Sequence, residues 1–270
     1  MKIIVFDLDE TLGYFTQFGI IWNSLNTYIE NYHNYYKLKY DDFCNILDLY
    51  PEFLRPEIIE ILNYVKLQKY KGVCSKVIIY TNNKGTDDWK QFIKNYFEYK
   101  VNGPLFDQII SPITPYTQTH SKTINNLVKY VNILKNDQIC FVDNTYFRGM
   151  NLKNVCYIKI HPYIFKLSFN SSVMRLINSA YINYTIFNNL NHTHFKYAMI
   201  LFFKQYLQYV EYDNNTNNND NLKIHNIVSK KLMENICLFF YNKHINNNKS
   251  NKLKKYNKTN KTKKQKSKYY

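Results

Sequence analysis

None of the five cysteines has a close cysteine neighbour. Cys44, Cys74, Cys140, Cys156 and Cys237 are scattered, which argues against a zinc site of paired short spacing and a disulfide framework, and fits a reducing compartment. Cys140 and Cys156 lie in apolar runs and read as small buried hydrophobes. Long apolar runs are also missing. The longest patches, such as Ala198 to Phe203, are far too short to span a bilayer, so no membrane partner is expected. The first strand-like run starts directly after Met1 and leaves no room for a signal peptide. The expected location is therefore intracellular, cytoplasmic or nuclear. No internal repeat is evident.

The 270 residues suffice for one domain of ordinary size plus extras, with a core that needs no disulfide. Net charge is +16, unevenly placed. Lys249 to Tyr270 holds ten lysines and no acid, so the remainder carries only +6. That tail has almost nothing to bury and is expected to be disordered. Two readings of it stand side by side. It is a nucleic-acid-binding or nuclear-targeting segment, or it is a solubilising end in a chain from an AT-rich genome. The same codon bias accounts for the 27 tyrosines and for several Asn-x-Ser/Thr triplets.

The most informative stretch is Lys2 to Leu12. The apolar run Ile3 to Phe6 is long enough for one buried strand, and it ends in two carboxylates one residue apart, Asp7 and Asp9, followed by Thr11. Strands buried on both faces read as continuous apolar runs. In open α/β sheets, ligands bind outside the carboxyl ends of such strands. Two acids this close repel unless they share a cation or a proton. A bound Mg²⁺, a hard ion that usually takes one or two protein carboxylates, is the economical explanation.

Further along, the chain alternates. Gly13 to Tyr50 has helical faces at Ile21, Leu25, Tyr28 and Ile29 and again at Phe43, Ile46, Leu47 and Leu49. Pro56 is expected at the first position of a helix with acids in its first turn. Lys76 to Tyr80 is a second buried strand, and Asp87 to Tyr99 an amphipathic helix. Phe106 to Ile110 is a third strand, followed by a polar loop, Ser111 to Ser121. A helix is expected from about Lys122 to Leu134, then strands Gln138 to Val142 and Val155 to Ile160. This alternation predicts a parallel sheet with right-handed crossovers. From Ser168 the pattern becomes helical, over Val173 to Leu190, Phe195 to Tyr212 and Leu222 to Tyr241, with the Asn-rich stretch Asp213 to Asn221 between the last two. Asp7, Asp9, Thr81, Lys122 and Asp143 each fall at a strand end or helix start, and such ends converge on one side of a doubly wound sheet.

The run Asp7-Leu8-Asp9-Glu10-Thr11-Leu12 resembles the first motif of the haloacid dehalogenase superfamily. Its spelling is similar to the RNA polymerase C-terminal-domain phosphatase branch, as are Arg55-Pro56 before a helix, Tyr80-Thr81 after a strand, and Asp143-Asn144. The resemblance covers about Lys2 to Tyr163. It implies an α/β, doubly wound, Rossmann-like core over residues 1–165, with residues 13–50 as a small helical cap or flap. A helical extension over 166–248 and the lysine-rich tail over 249–270 lie outside it.

The resemblance implies Asp7 as nucleophile, forming an aspartyl-phosphate, and as Mg²⁺ ligand. Asp9 would be general acid and base and offer its backbone carbonyl to the metal. Thr81 would donate to a phosphoryl oxygen. Asn82 would add an amide donor or merely turn the chain; Thr11 joins it as a substrate-binding candidate. Lys122, 21 residues before Asp143, is the candidate cation facing the phosphoryl group, with Lys129, 14 residues before, as the alternative. Asp143 and Asn144 would complete the metal shell. Arg148 and the His192-x-His194 element read as surface residues. The expected activity is Mg²⁺-dependent phosphomonoester hydrolysis on a phosphoprotein or another bulky substrate. A polynucleotide or nucleotide phosphatase with the same core and a silent scaffold whose basic tail binds nucleic acid are the rivals.

Overall fold

The apolar run after Met1 becomes β1 (Lys2–Phe6), the middle strand of a five-stranded, all-parallel sheet. The structure is a computed structural model that describes residues 1–111, 121–134, 136–187, 190–207 and 218–241. The remaining strands are β2 (Lys76–Tyr80), β3 (Gln108–Ile110), β4 (Gln138–Asp143) and β5 (Val155–Lys159), in the order β3-β2-β1-β4-β5. Successive side chains alternate between faces. Ile4, Phe6, Val77, Ile79, Cys140 and Val142 enter one apolar cluster, while Ile3, Val5, Ile78, Tyr80, Ile139 and Phe141 enter the other. Both faces are covered, which is why these strands read as unbroken apolar runs. The expected doubly wound α/β class is the one observed.

On the first face pack α1 (Phe15–Tyr32), α2 (Tyr40–Leu47), α3 (Ile58–Tyr70) and α4 (Asp87–Lys100). The strand order runs outward from β1 to β3, then reverses to β4 and β5. A right-handed crossover made in the reversed direction carries its helix to the opposite face. Accordingly α5 (Ile124–Tyr130) delivers Leu127 to the second cluster.

The segment expected to be a flap folds as α1 and α2, whose Phe18, Ile21, Leu25, Phe43 and Leu47 share the cluster of Ile4 and Phe6. The C-terminal helices join that cluster as well: α6 (Phe169–Ile177), a π-helical turn (Tyr181–Ile186), α7 (His192–Leu207) and α8 (Asn218–Tyr241). Tyr50 donates its hydroxyl to the Ser172 carbonyl at 2.7 Å, and buried Asp42 accepts from both Tyr36 and Tyr181 at 2.7 Å. At the sheet's other end, Lys2 donates to the carbonyls of Phe239 and Phe240, each at 2.8 Å, which caps the C-terminal end of α8.

Some boundaries differ from the sequence expectations. Pro56 is not the first helical residue: Glu57 takes a left-handed conformation (φ 58°) and α3 starts at Ile58. The strand near Phe106 is shorter, because Glu98 Oε1 captures the amides of Leu105 and Phe106, both at 2.9 Å. The helix expected from Lys122 begins only at Ile124, since the Thr123 hydroxyl caps it by accepting from Asn126 N, and extended Val131 ends it early. The segment Val173 to Leu190 is split between α6 and the π-helical turn. Residues 249–270, and most of the polar loop and of the Asn-rich stretch, lie outside the described residues. Among the described residues no helix is long and apolar enough to cross a membrane.

Candidate active site

Three loops leave the carboxyl ends of β1, β2 and β4, where the strand order reverses, and there the chemistry-bearing side chains meet. Asp7 follows β1 and Thr81 follows β2, while Asp143 ends β4. Pairing continues one residue past the first two strands: Asp7 N donates to Val142 O and Thr81 N to Ile110 O, both at 2.9 Å. These side chains therefore leave from fixed backbone. A cleft of about 290 Å³ is lined by Asp7, Asp9, Thr81, Asn82, Asn144 and Lys122, together with Glu10, Asn83 and Asp143.

Lys122 is the hub. Its ammonium lies 2.5 Å from Asp7 Oδ1 and 2.7 Å from Asp143 Oδ2, and only 2% of the residue is exposed. Lys129 is on the exposed last turn of α5, its ammonium over the Tyr130 ring, and does not reach this cleft. The other Asp7 oxygen accepts from the Thr11 hydroxyl at 3.0 Å, and Thr11 Oγ1 accepts from Asn144 N at 3.2 Å. Thr11 is fully buried behind Asp7 and is not part of the cleft wall. Asp143 Oδ1 accepts from Thr145 N at 2.7 Å. Arg148 is exposed and outside the cleft. His192 and His194 are remote from it, bonded to Asn183 and Tyr28.

The carboxylates press on one another. Burial pushes Asp143 up to about 6, and repulsion from Asp7 adds to it against the pull of Lys122. Burial likewise raises Asp9 to about 6, opposed by its bond from Asn83 and reinforced by Asp7 and Glu10. Glu10 is raised by burial and by Asp7. Four carboxylates thus share one ammonium in the cleft. An anion would be repelled here, whereas a hard cation would relieve the imbalance. Among the described residues no group of three or more His, Cys, Asp or Glu forms a metal cluster. Asp7 and Asp143 nonetheless present two carboxylates to one cation, the number Mg²⁺ usually takes from a protein.

Three residues to which the sequence assigned no role in the site hold this arrangement. Asn83 donates to Asp9 Oδ2 at 2.7 Å, and its own Oδ1 accepts from Gly85 N at 2.7 Å. Glu10 accepts from Asn144 Nδ2 at 2.8 Å. Arg55, 1% exposed, donates to the carbonyls of Thr11, Glu10 and His161 at 2.6, 2.7 and 2.8 Å. The signals were thin: an Asn after β2, an acid inside the first motif, and an arginine before a proline. Compared with known proteins, the chain matches no family model, no curated protein and no solved structure.

Proposed function

We propose that this protein is a Mg²⁺-dependent phosphohydrolase of the haloacid dehalogenase type, acting on a phosphoprotein or another bulky phosphomonoester. The observation that carries the reading is the buried Asp7–Lys122–Asp143 bridge, with Asp9 in the same cleft. Mg²⁺ would be held by Asp7 and Asp143, with the Asp9 carbonyl and Asn144 as further oxygen donors. When bound, it supplies positive charge that lets an anionic phosphoryl group enter an acidic cleft.

A carboxylate oxygen of Asp7 attacks phosphorus, and the bond from phosphorus to the leaving oxygen breaks. Asp9, raised to about 6, delivers its proton to that oxygen. Asp9, now a carboxylate, takes a proton from water. The water oxygen attacks phosphorus, the bond to Asp7 breaks, and phosphate leaves. Lys122 faces the transferred group and holds Asp7 in place. Thr81 Oγ1 accepts from Asn83 N at 3.0 Å, which uses one of its two lone pairs and leaves its proton for a phosphoryl oxygen.

The test is phosphate release from p-nitrophenyl phosphate with and without Mg²⁺, in the wild type and in Asp7→Asn. Metal-dependent turnover that falls about 10³-fold or more in the variant is expected. Turnover unchanged in Asp7→Asn would sink the reading.

A further inference from the structure

Beside the catalytic cleft lies a larger one, of about 900 Å³, between α1 and the segment Asn83 to Phe92. Asp9 and Asn83 line both clefts. The residue assigned to protonate the leaving oxygen therefore borders both clefts. The chain has two tryptophans, Trp22 and Trp89, and both line it, with Phe92 and Leu38.

These rings are held from behind. Trp89 stacks on Phe18 at 5.8 Å, and Trp22 meets Phe43 edge-on at 5.4 Å. Phe18 and Phe43 are fully buried, so the wall is formed before anything binds. The rest of the wall is mixed: Asn23 and Asn26, three residues apart on α1, add amide donors and acceptors, and Lys37, Lys84 and Asp88 add charge. Gly19 opens the floor: a methyl group there would lie 3.5 Å from Trp89 Cζ2.

We infer that this cleft receives the leaving group, and that the leaving group carries a planar aromatic ring. The inference rests on the phosphohydrolase reading and names its substrate class. Aromatic pairs attract beyond the area they bury, by an amount that favours an aryl group several-fold over an alkyl group of equal size. A tyrosyl side chain and a nucleobase both meet that description.

The binding test needs no turnover. Both tryptophans are in the cleft, so intrinsic emission reports its occupancy. Phenylphosphonate and cyclohexylphosphonate, matched in size and charge, are titrated in Mg²⁺. The phenyl compound is expected to change the emission and to bind about tenfold more tightly. Gly19→Leu, which fills the floor, is expected to remove that preference, and Gly19→Ala to keep it. Equal affinities, or unchanged emission at saturation, overturn the inference.

The turnover test compares O-phosphotyrosine and adenosine 5′-monophosphate with O-phosphoserine. At least one of the two ring-bearing esters is expected to be about tenfold faster than phosphoserine, and the faster one identifies the ring's source. Phosphoserine as fast as both overturns the inference. Phenyl-selective binding with no phosphate release from any ester keeps the aromatic cleft and discards the phosphohydrolase reading.

Discussion

Arg55 Nε donates to the Thr11 carbonyl at 2.6 Å across 44 residues of sequence, and the contact is buried. With its bonds to Glu10 O and His161 O, this one side chain fixes the loop that carries Asp7, Asp9 and Thr11. Burial lowers the guanidinium to about 10, which leaves it charged at neutral pH. Arg55→Met would leave the Thr11 and His161 carbonyls without this donor, while the Glu10 carbonyl keeps its bond from Tyr163 N at 2.8 Å. A loss of about 3 kcal/mol or more in urea unfolding is expected, on the scale of unsatisfied buried groups. Arg55→Lys restores charge without the planar fork and should recover only part of it. Equal stability of Arg55→Met and wild type would show that the loop holds itself.

The contrast between Asp7 and Arg55 separates what the sequence makes legible from what it hides. Asp7, Thr81 and Asp143 could be placed because each ends a run of apolar residues, and a doubly wound sheet brings such ends together. Lys122 was reachable by its position before the helix leading to β4, although the helix itself starts two residues later. Arg55 and Asn83 act through the path of a loop, which no periodicity encodes. The Trp22–Trp89 cleft is likewise made by two helices meeting, and each tryptophan alone reads as core.

Asn83 tunes Asp9. Its bond stabilises the carboxylate and partly offsets the rise caused by burial. Asn83→Ala removes that bond, so Asp9 should titrate above its present value of about 6. If Asp9 is the general acid, the alkaline limb of kcat against pH should move to higher pH, with kcat reduced about tenfold. A reduced kcat with an unmoved limb would mean that Asn83 only packs the loop.

Two glycines invite the same substitution with opposite results. Gly19 lies inside α1, and an added Cβ would make ordinary contact with Trp89 at 3.5 Å. Gly19→Ala should therefore stabilise the protein by about 0.5–1 kcal/mol. At Gly13 an added Cβ would lie 2.6 Å from the Phe53 carbonyl oxygen, which itself accepts from Tyr14 N at 2.7 Å. That backbone cannot yield without breaking the bond, so Gly13→Ala should cost about 1–3 kcal/mol. Urea unfolding of both variants checks the pair. A destabilised Gly19→Ala would mean that Trp89 cannot accept even a methyl neighbour.

Asp9 and Asp143 contribute to the pH response of the metal-free protein in the same sense as Glu10, which burial also raises, and against His225, which burial lowers to about 4. The two aspartates titrate near 6 when folded, against an ordinary value of 3.8. Between those values the folded state binds more protons than the unfolded chain, so these groups favour folding as pH falls from 7 to 5. Raising the pH through 6 removes that contribution, of about 1–3 kcal/mol in order of magnitude. Asp143→Asn should flatten the slope. Mg²⁺ must act in the opposite direction, because it competes with the proton for the same oxygens. At pH 7.5, Mg²⁺ at about 100 times its Kd should stabilise the wild type by about 2.7 kcal/mol. That gain should shrink at pH 5 and be largely lost in Asp143→Asn. Thermal unfolding at the two pH values, with and without Mg²⁺, separates the effects, and a Mg²⁺ gain that survives in Asp143→Asn would place the ion elsewhere.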